Sequence, residues 1–136
     1  MEQFSVIKVI DFCYGHRLFN YNGKCKHLHG HNGRLEIEIT SNTVDELGMV
    51  IDFGEIKRIA KQWIDDNMDH KMLLFKDDPL VSVLRDCEEP LYLMDDNPTA
   101  ENIAKEIYKH LLSHNLNVSK MRLWETENGC ATYCGE

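Results

Sequence analysis

The stretch of the chain with the densest chemical functionality runs from Cys25 to His31 and reads Cys-Lys-His-Leu-His-Gly-His. A thiol or an imidazole stands at every second position, and alternate side chains of an extended backbone lie on one face. All four groups cannot bind one metal ion in that conformation. At ~3.3 Å per residue the ends lie ~20 Å apart, whereas zinc holds its ligands at ~2.0–2.3 Å. Two neighbours such as His29 and His31 can share one ion, and the other groups need other roles.

A third ligand would turn the His29–His31 pair into a catalytic type of zinc site, which has three protein ligands and one open position. His16 is the natural candidate, because it follows the first predicted strand, whereas His29 and His31 precede the second. Antiparallel pairing of those strands would bring the three imidazoles together. The alternative is a closed structural zinc site that includes Cys25, which the short reach of zinc ligands disfavours.

Two further groups could handle protons. If Cys25 is not a ligand, a nearby metal ion together with Lys24 and Lys26 would favour its thiolate form, which serves as a base or nucleophile. The alternative is an unreactive cysteine. In Asp69-His70 a carboxylate could orient an imidazole and raise its basicity, although an exposed pair at a helix end is the simpler interpretation.

Binding groups for a charged or planar ligand are also present. Between Asp11 and Glu36 the sequence contains no carboxylate but four basic residues: Arg17, Lys24, Lys26 and Arg34. This locally positive segment suits a small phosphorylated ligand, or is a chance cluster on a solvated loop. Glu125 lies near the end of an otherwise apolar predicted strand. It could accept two hydrogen bonds from an amidine-like ligand edge, or be a surface charge.

Composition limits the class of protein. A chain of 136 residues with 43% hydrophobic residues predicts one domain, residues 1–136. The net charge of −8 argues against a nucleic-acid partner. No apolar run is long enough to span a membrane, and the N-terminus does not resemble a secretion leader. The five cysteines suggest no disulfide framework, so we expect a reduced, cytoplasmic setting.

Hydrophobic periodicity predicts an α+β fold with two helices on one face of a four-stranded antiparallel sheet. The predicted strands are Phe4–Phe12, Arg34–Thr40, Leu91–Met94 and Lys120–Thr126. Amphipathic helices are predicted from Phe53 to about Asn67 and from the Asn97-Pro98-Thr99 start signal to about His114. Asn32-Gly33 is typical of a turn or bulge, and residues 79–89 are ambiguous between a loop and a short helix.

Six motifs, in order along nearly the whole chain, resemble those of the 6-pyruvoyl-tetrahydropterin synthase family, which includes bacterial 6-carboxy-tetrahydropterin synthases. They are Phe12-Cys-Tyr-Gly-His16-Arg-Leu, Cys25-Lys-His-Leu-His29-Gly-His31-Asn, Gly48-Met-Val-Ile-Asp52-Phe, Met68-Asp69-His70-Lys, Asn97-Pro-Thr99-Ala-Glu101-Asn and Trp124-Glu125-Thr126. Two positions depart from the family pattern. Gly33 stands where many members have an aromatic residue, and Tyr14-Gly15 replaces a pair of small residues.

The resemblance implies a role for each motif. One zinc ion per subunit would bind the three histidines (His16, His29 and His31), and Cys25 would be the catalytic base, with Asp69 and His70 as its partners. Glu125 would anchor the pterin edge with Thr99 beside it. Arg17 and Lys24 belong to the basic stretch that could hold a triphosphate, whereas His27 has no assigned role.

The family resemblance also implies an assembly and a reaction. The fold would be the T-fold, whose sheets are pooled into a barrel as a homohexamer, a dimer of trimers with active sites between subunits. The protein would be a lyase that converts 7,8-dihydroneopterin triphosphate to 6-carboxytetrahydropterin with loss of triphosphate and acetaldehyde, in queuosine and 7-deazapurine biosynthesis. The alternatives are a 6-pyruvoyl-tetrahydropterin synthase, which only eliminates triphosphate, and a non-catalytic zinc or pterin-binding module.

Overall fold

Two long strands form the centre of the sheet in the computed structural model, which describes residues 2–135. Strand β1 (Phe4–His16) and strand β2 (His29–Ser41) each have 13 residues and pair antiparallel over their full length. The alternation of apolar and polar residues in the second half of β2 predicts a strand with one buried face, and the apolar side chains of β2 do pack on the core.

Four shorter strands extend the sheet on both sides of this central pair. They are β3 (Lys71–Phe75), β4 (Leu91–Met94), β5 (Lys120–Thr126) and β6 (Gly129–Tyr133), and the strand order is β4-β3-β1-β2-β5-β6. Strands β5 and β6 continue the antiparallel pattern from β2, whereas β3 runs parallel to β1 and β4 runs parallel to β3. The sheet is therefore mixed.

The prediction of a four-stranded antiparallel sheet is wrong in two respects. The sheet has six strands within residues 2–135, and β3 and β4 pair in parallel. The sequence of β3, Lys-Met-Leu-Leu-Phe, lacks alternation because parallel strands are covered on both faces. Strand β6 contains glycine and alanine, which have low strand propensity. It forms because it pairs with β5 in a hairpin. Asn32-Gly33 is not a turn, since both residues lie within β2 and pair with β1.

Helices α1 (Phe53–Asn67) and α3 (Ala100–Ser113) lie where the sequence places them, and α2 (Leu80–Asp86) is a third helix within residues 79–89. Helices α1 and α3 have side-chain N-caps. The Asp52 carboxylate accepts from the Gly54 amide at 2.8 Å, and the Thr99 hydroxyl accepts from the Asn102 amide at 3.1 Å. No helix within residues 2–135 combines the length and apolarity that a membrane crossing needs.

The core lies between one face of the sheet and helices α1 and α3. Helix α1 packs on β1, and α3 packs on β5 and β6. Fully buried residues include Leu35 and Ile37 from the sheet and Ile64 and Ile107 from the helices. The face of β1 and β2 that carries these residues also carries the histidines at one end, so the apolar core supports the functional site directly.

Candidate metal centre

The three predicted metal-ligating histidines meet at one end of the central strand pair. His16 is the last residue of β1 and pairs in register with His29, the first residue of β2. His31, two residues further along β2, shares the face of His29. One ring nitrogen from each residue lies within 4.8 Å of the others, so the predicted convergence is confirmed.

Backbone carbonyls orient two of these imidazoles. His16 Nδ1 lies 2.7 Å from the Pro98 carbonyl oxygen, and His29 Nδ1 lies 2.8 Å from the His27 carbonyl oxygen. Because a carbonyl only accepts, each Nδ1–H donates, and the Nε2 lone pair of a neutral ring is left for a metal ion. His27 therefore contributes through its backbone, and Pro98 is a supporting residue that sequence reasoning missed.

The ligating atoms have the surroundings of a cation site. Nε2 of His16 and Nε2 of His31 are buried and have no hydrogen-bond partner within residues 2–135. Glu125 Oε2 lies 3.2 Å from His16 Nε2 and 2.7 Å from His31 Nε2, but neither contact has the geometry of a hydrogen bond. His16 donates through Nδ1, so its Nε2 lone pair faces a carboxylate oxygen, and a positive charge between them would stabilise that arrangement. The residues present therefore fit a metal ion.

The protonation states agree with this interpretation. Burial lowers the pKa of His31, and the neighbouring His16 and His29 lower it further, against the opposing charge of Glu125. Burial acts to raise the pKa of Glu125, but the contact with His16 and the charges of the histidines outweigh it, so that pKa lies below its usual range. A neutral imidazole and an ionised carboxylate are the forms that bind metals.

Cys25 lies beside the metal centre but outside the strand. It is the middle residue of a single 3₁₀ turn, Lys24–Lys26, and its carbonyl accepts from the Leu18 amide at 2.8 Å. Its half-buried side chain lines a cavity of about 730 Å³, hereafter the site cavity. The three histidines, Thr99 and Glu125 line the same cavity. Glu101 also lines it; Glu101 belongs to one of the six motifs, but no site role was predicted for it.

Asp69 and His70 form a turn that is attached to β1. Asp69 Oδ1 accepts from the Cys13 amide at 2.9 Å, and the His70 amide donates to the Cys13 carbonyl at 2.6 Å. Asp69 Oδ2 lies 2.8 Å from His70 Nδ1, so the carboxylate orients the imidazole as predicted. The His70 side chain is 78% exposed and lines a second cavity of about 620 Å³, which Cys25 does not line. One chain thus places the two groups in different cavities.

The two predicted phosphate-binding residues have different surroundings. Arg17 binds Asp78 in the forked manner, with Nε 2.7 Å from Oδ2 and Nη2 in contact with Oδ1. Asp78 is buried, which acts to raise its pKa, but the bonds from Arg17 and the Leu80 amide lower it below its ordinary value. Lys24 is exposed, and neither Arg17 nor Lys24 lines the site cavity. No motif in the sequence pointed to Asp78.

Gly33 and Tyr14, which both depart from the family pattern, are neighbours in the structure. A Cβ atom at Gly33 would lie 2.8 Å from Tyr14 Cε1, so the ring of Tyr14 occupies the space that a side chain at position 33 would fill. Tyr14 is 2% exposed, and its ring centroid lies 5.3 Å from that of His16 and 5.7 Å from that of His31. Burial, and then the charge of Glu125, raise the pKa of Tyr14.

Solved structures share this fold over essentially the whole chain. An uncharacterized protein from Wolinella succinogenes matches with a TM-score of 0.82 and 23% identity, covering 100% of both chains. The 6-pyruvoyl tetrahydropterin synthase from Caenorhabditis elegans matches with a TM-score of 0.74 and 24% identity, covering 100% of this chain and 98% of that one. The fold and the three-imidazole cluster thus define a T-fold protein with a candidate metal centre.

Sequence comparison identifies the family. The family model described as 6-pyruvoyl tetrahydropterin synthase matches residues 5–136. A 6-carboxy-5,6,7,8-tetrahydropterin synthase from Rickettsia felis is 47% identical over 126 residues, which are 88% of this chain and 91% of the relative. The Haemophilus influenzae protein of the same name is 32% identical over 138 residues, covering 96% and 98%. The chain belongs to the 6-pyruvoyl tetrahydropterin synthase family.

Proposed function

We propose that the protein is a zinc-dependent 6-carboxy-5,6,7,8-tetrahydropterin synthase that works on 7,8-dihydroneopterin triphosphate in queuosine and 7-deazapurine precursor biosynthesis. The names of the relatives from Rickettsia felis and Haemophilus influenzae support this product. The observation that carries the proposal is the convergence of three imidazoles on a cavity that Cys25 and Glu125 also line.

Zinc is the metal that this set of donors fits best. Three neutral imidazoles with a carboxylate nearby are common ligands of catalytic zinc sites, in which one position stays open for water or substrate. When bound, zinc would supply a Lewis acid beside the hydroxyl groups of the substrate side chain and make the adjacent C–H protons more acidic. His16, His29 and His31 would hold it.

Cys25 is the proposed base because it shares the site cavity with the histidines while its turn lies outside the strand that carries two of them. Its thiolate would remove the acidified proton. Asp69 holds the imidazole of His70 through Nδ1, which leaves Nε2 for proton exchange with Cys25 or with the substrate. Elimination of triphosphate, followed by addition of one water molecule to the remaining side chain and release of its end as acetaldehyde, gives the proposed carboxylate product.

Two sets of side chains are assigned to substrate binding. Glu125 would accept hydrogen bonds from the amino and N3 edge of the pterin, and Thr99 lies in the same cavity beside it. Lys24 and Arg17 would hold the triphosphate. A guanidinium carries five N–H donors, and Asp78 engages two of them, so Arg17 can share its charge with a phosphate.

A symmetric assembly completes the proposed site. Cys25 and His70 line different cavities of one chain, so the His70 of one subunit would serve the Cys25 of a neighbour. We propose a single T-fold domain that forms a dimer of trimers, with sheets pooled into a barrel. The five free cysteines suit a reducing cytoplasm.

The decisive experiment incubates the zinc-loaded protein with 7,8-dihydroneopterin triphosphate and identifies the product by mass. The expected product is 6-carboxytetrahydropterin together with acetaldehyde. A 6-pyruvoyl product would support the alternative reaction, which the family description permits. No conversion by metal-loaded protein would refute the enzyme assignment and favour a binding module.

The Cys25→Ala variant tests the role of the thiol in the same assay. We expect turnover to fall at least about 100-fold while zinc stays bound, because general acid–base catalysis contributes about 10²–10⁴-fold. Cys130→Ala is a matched control, since Cys130 is an exposed cysteine that also lines the site cavity. Full activity of Cys25→Ala would remove Cys25 from the mechanism, and loss of zinc would assign it to a structural metal site.

A further inference from the structure

Tyr14 has a feature that packing alone does not explain. Its side chain is 2% exposed, and its hydroxyl is buried with no hydrogen-bond partner within residues 2–135. An unpaired buried hydroxyl destabilises a protein, and phenylalanine would fill the same space without that cost. A tyrosine at this position therefore indicates that the hydroxyl acquires a partner in another state of the protein.

The ring of Tyr14 cannot turn to find that partner. It stacks on Phe12 with a centroid distance of 5.1 Å, and its Cε1 edge occupies the space that a Cβ atom at Gly33 would fill. The rings of His16 and His31 pack on it at 5.3 and 5.7 Å. With the ring held on these sides, a side-chain partner for the hydroxyl has to come to it.

Glu125 is the group placed to do so. It follows Trp124, which pairs with Arg34, the residue after Gly33, so Glu125 comes level with Gly33, over which the Tyr14 ring lies. The charge of Glu125 is also one cause of the raised pKa of Tyr14. Its carboxylate already contacts the same two imidazoles, with Oε2 3.2 Å from His16 Nε2 and 2.7 Å from His31 Nε2. A metal ion at those nitrogens would take the place of that contact.

We propose that in the metal-loaded protein the Tyr14 hydroxyl donates a hydrogen bond to the Glu125 carboxylate, which makes Tyr14 a positioning residue of the site. Carboxylates beside a metal ion are commonly held by such a bond, and these supporting partners strengthen metal binding. The bond would also fix the carboxylate that is assigned to the pterin edge. The inference rests on the metal centre of the proposed function and not on its pterin reaction.

Tyr14→Phe tests the inference, with zinc affinity measured by competition with a chelator. We expect zinc to bind about tenfold more weakly, the lower end of the range for such partners. The unfolding midpoint of the metal-free protein should stay the same or rise, because an unpaired hydroxyl has been removed. Tyr92→Phe is the matched control, since the Tyr92 hydroxyl donates to Glu106 at 2.6 Å and neither residue lines the site cavity. It should lower the midpoint and leave zinc affinity unchanged.

The Glu125→Ala background identifies the partner. There, Tyr14→Phe should no longer weaken zinc binding, because the acceptor is absent. The inference would be overturned if Tyr14→Phe left zinc affinity unchanged. It would also be overturned if Tyr14→Phe weakened zinc binding as much in the Glu125→Ala background as in the wild-type protein. Failure of the wild-type protein to bind zinc would overturn it too. If zinc binds with the expected coupling but dihydroneopterin triphosphate is not converted, the inference stands and the proposed reaction fails.

Discussion

At the scale of single residues, the stretch from Cys25 to His31 divides where β2 begins. His29 and His31 are in the strand and share one face, so both imidazoles reach the position expected for the metal ion. Cys25 lies in the preceding 3₁₀ turn, where its thiol lines the cavity without being part of the cluster of imidazole nitrogens. A single change in backbone conformation thus separates the candidate metal ligands from the candidate base.

Replacing Asp78 by asparagine tests the forked pair with Arg17. Removing one partner of a largely buried ion pair should lower the free energy of unfolding by about 3 kcal/mol at pH 7. Urea unfolding measures this, with Asp77→Asn as the control because Asp77 is exposed. Equal stability of Asp78→Asn and wild type would show that the pair contributes nothing.

The same pair predicts the direction of a pH effect. The folded-state pKa of Asp78 lies below the value of about 3.9 for an unfolded aspartate. Its stabilising contribution is therefore present above about pH 4 and is lost as the pH falls through the folded-state pKa. Stability measured across this acidic range should fall less steeply for Asp78→Asn than for the wild-type protein, and parallel curves would contradict the assignment.

At the scale of elements, the start of α3 performs two tasks. Thr99 caps the helix through the Asn102 amide and also lines the site cavity, while the carbonyl of the preceding Pro98 accepts from His16 Nδ1. The helix start therefore fixes the orientation of a candidate metal ligand. The adjacent residues Pro98 and Thr99 thus link the stability of the α3 start to the orientation of His16.

Thr99→Ala should lower the free energy of unfolding by about 1 kcal/mol, because the amide of Asn102 loses its cap. Zinc affinity should also fall, by less than about tenfold, since a frayed helix start loosens the Pro98 carbonyl. Thr99→Ser keeps the cap and should change neither quantity. Asp52→Ala removes the cap of α1 and is expected to affect stability alone, so an equal loss of zinc affinity in that variant would disprove the link.

At the scale of the whole molecule, the two groups proposed to exchange a proton, Cys25 and His70, line different cavities of the chain. Cys25 lines the site cavity with the three histidines, whereas His70 lines the second cavity, which His29 also borders. His70 is 78% exposed and is held firmly in place through Cys13 and Asp69, as expected for a group presented to another chain. In the proposed assembly, Cys25 of one subunit and His70 of its neighbour would lie at one site.

Co-expression of Cys25→Ala with His70→Ala tests this arrangement. Each variant alone should be inactive, whereas random assortment in mixed assemblies should restore about a quarter of the sites, since each site draws one group from each of two subunits. Turnover of dihydroneopterin triphosphate per subunit measures the recovery. A co-expressed mixture as inactive as the single variants would place Cys25 and His70 of one site on the same chain.

Features that depend on residues close together in the chain could be predicted from the sequence. Period-3.6 patterns predict α1 and, with the start signal that ends at Thr99, α3. Alternation predicts most of β2, and pairing of the first two strands predicts the histidine cluster. These features are set by short-range geometry, which the order of side chains expresses directly.

Tertiary structure alone decided the rest, because those features depend on contacts between residues distant in sequence. Strand β3 forms between parallel neighbours and β6 through a hairpin, although neither has a strong pattern of its own. The same is true of the Arg17–Asp78 pair and of the Pro98 carbonyl that orients His16. The sequence identified the groups that can do chemistry, and the packing of distant segments determined which of them share a cavity.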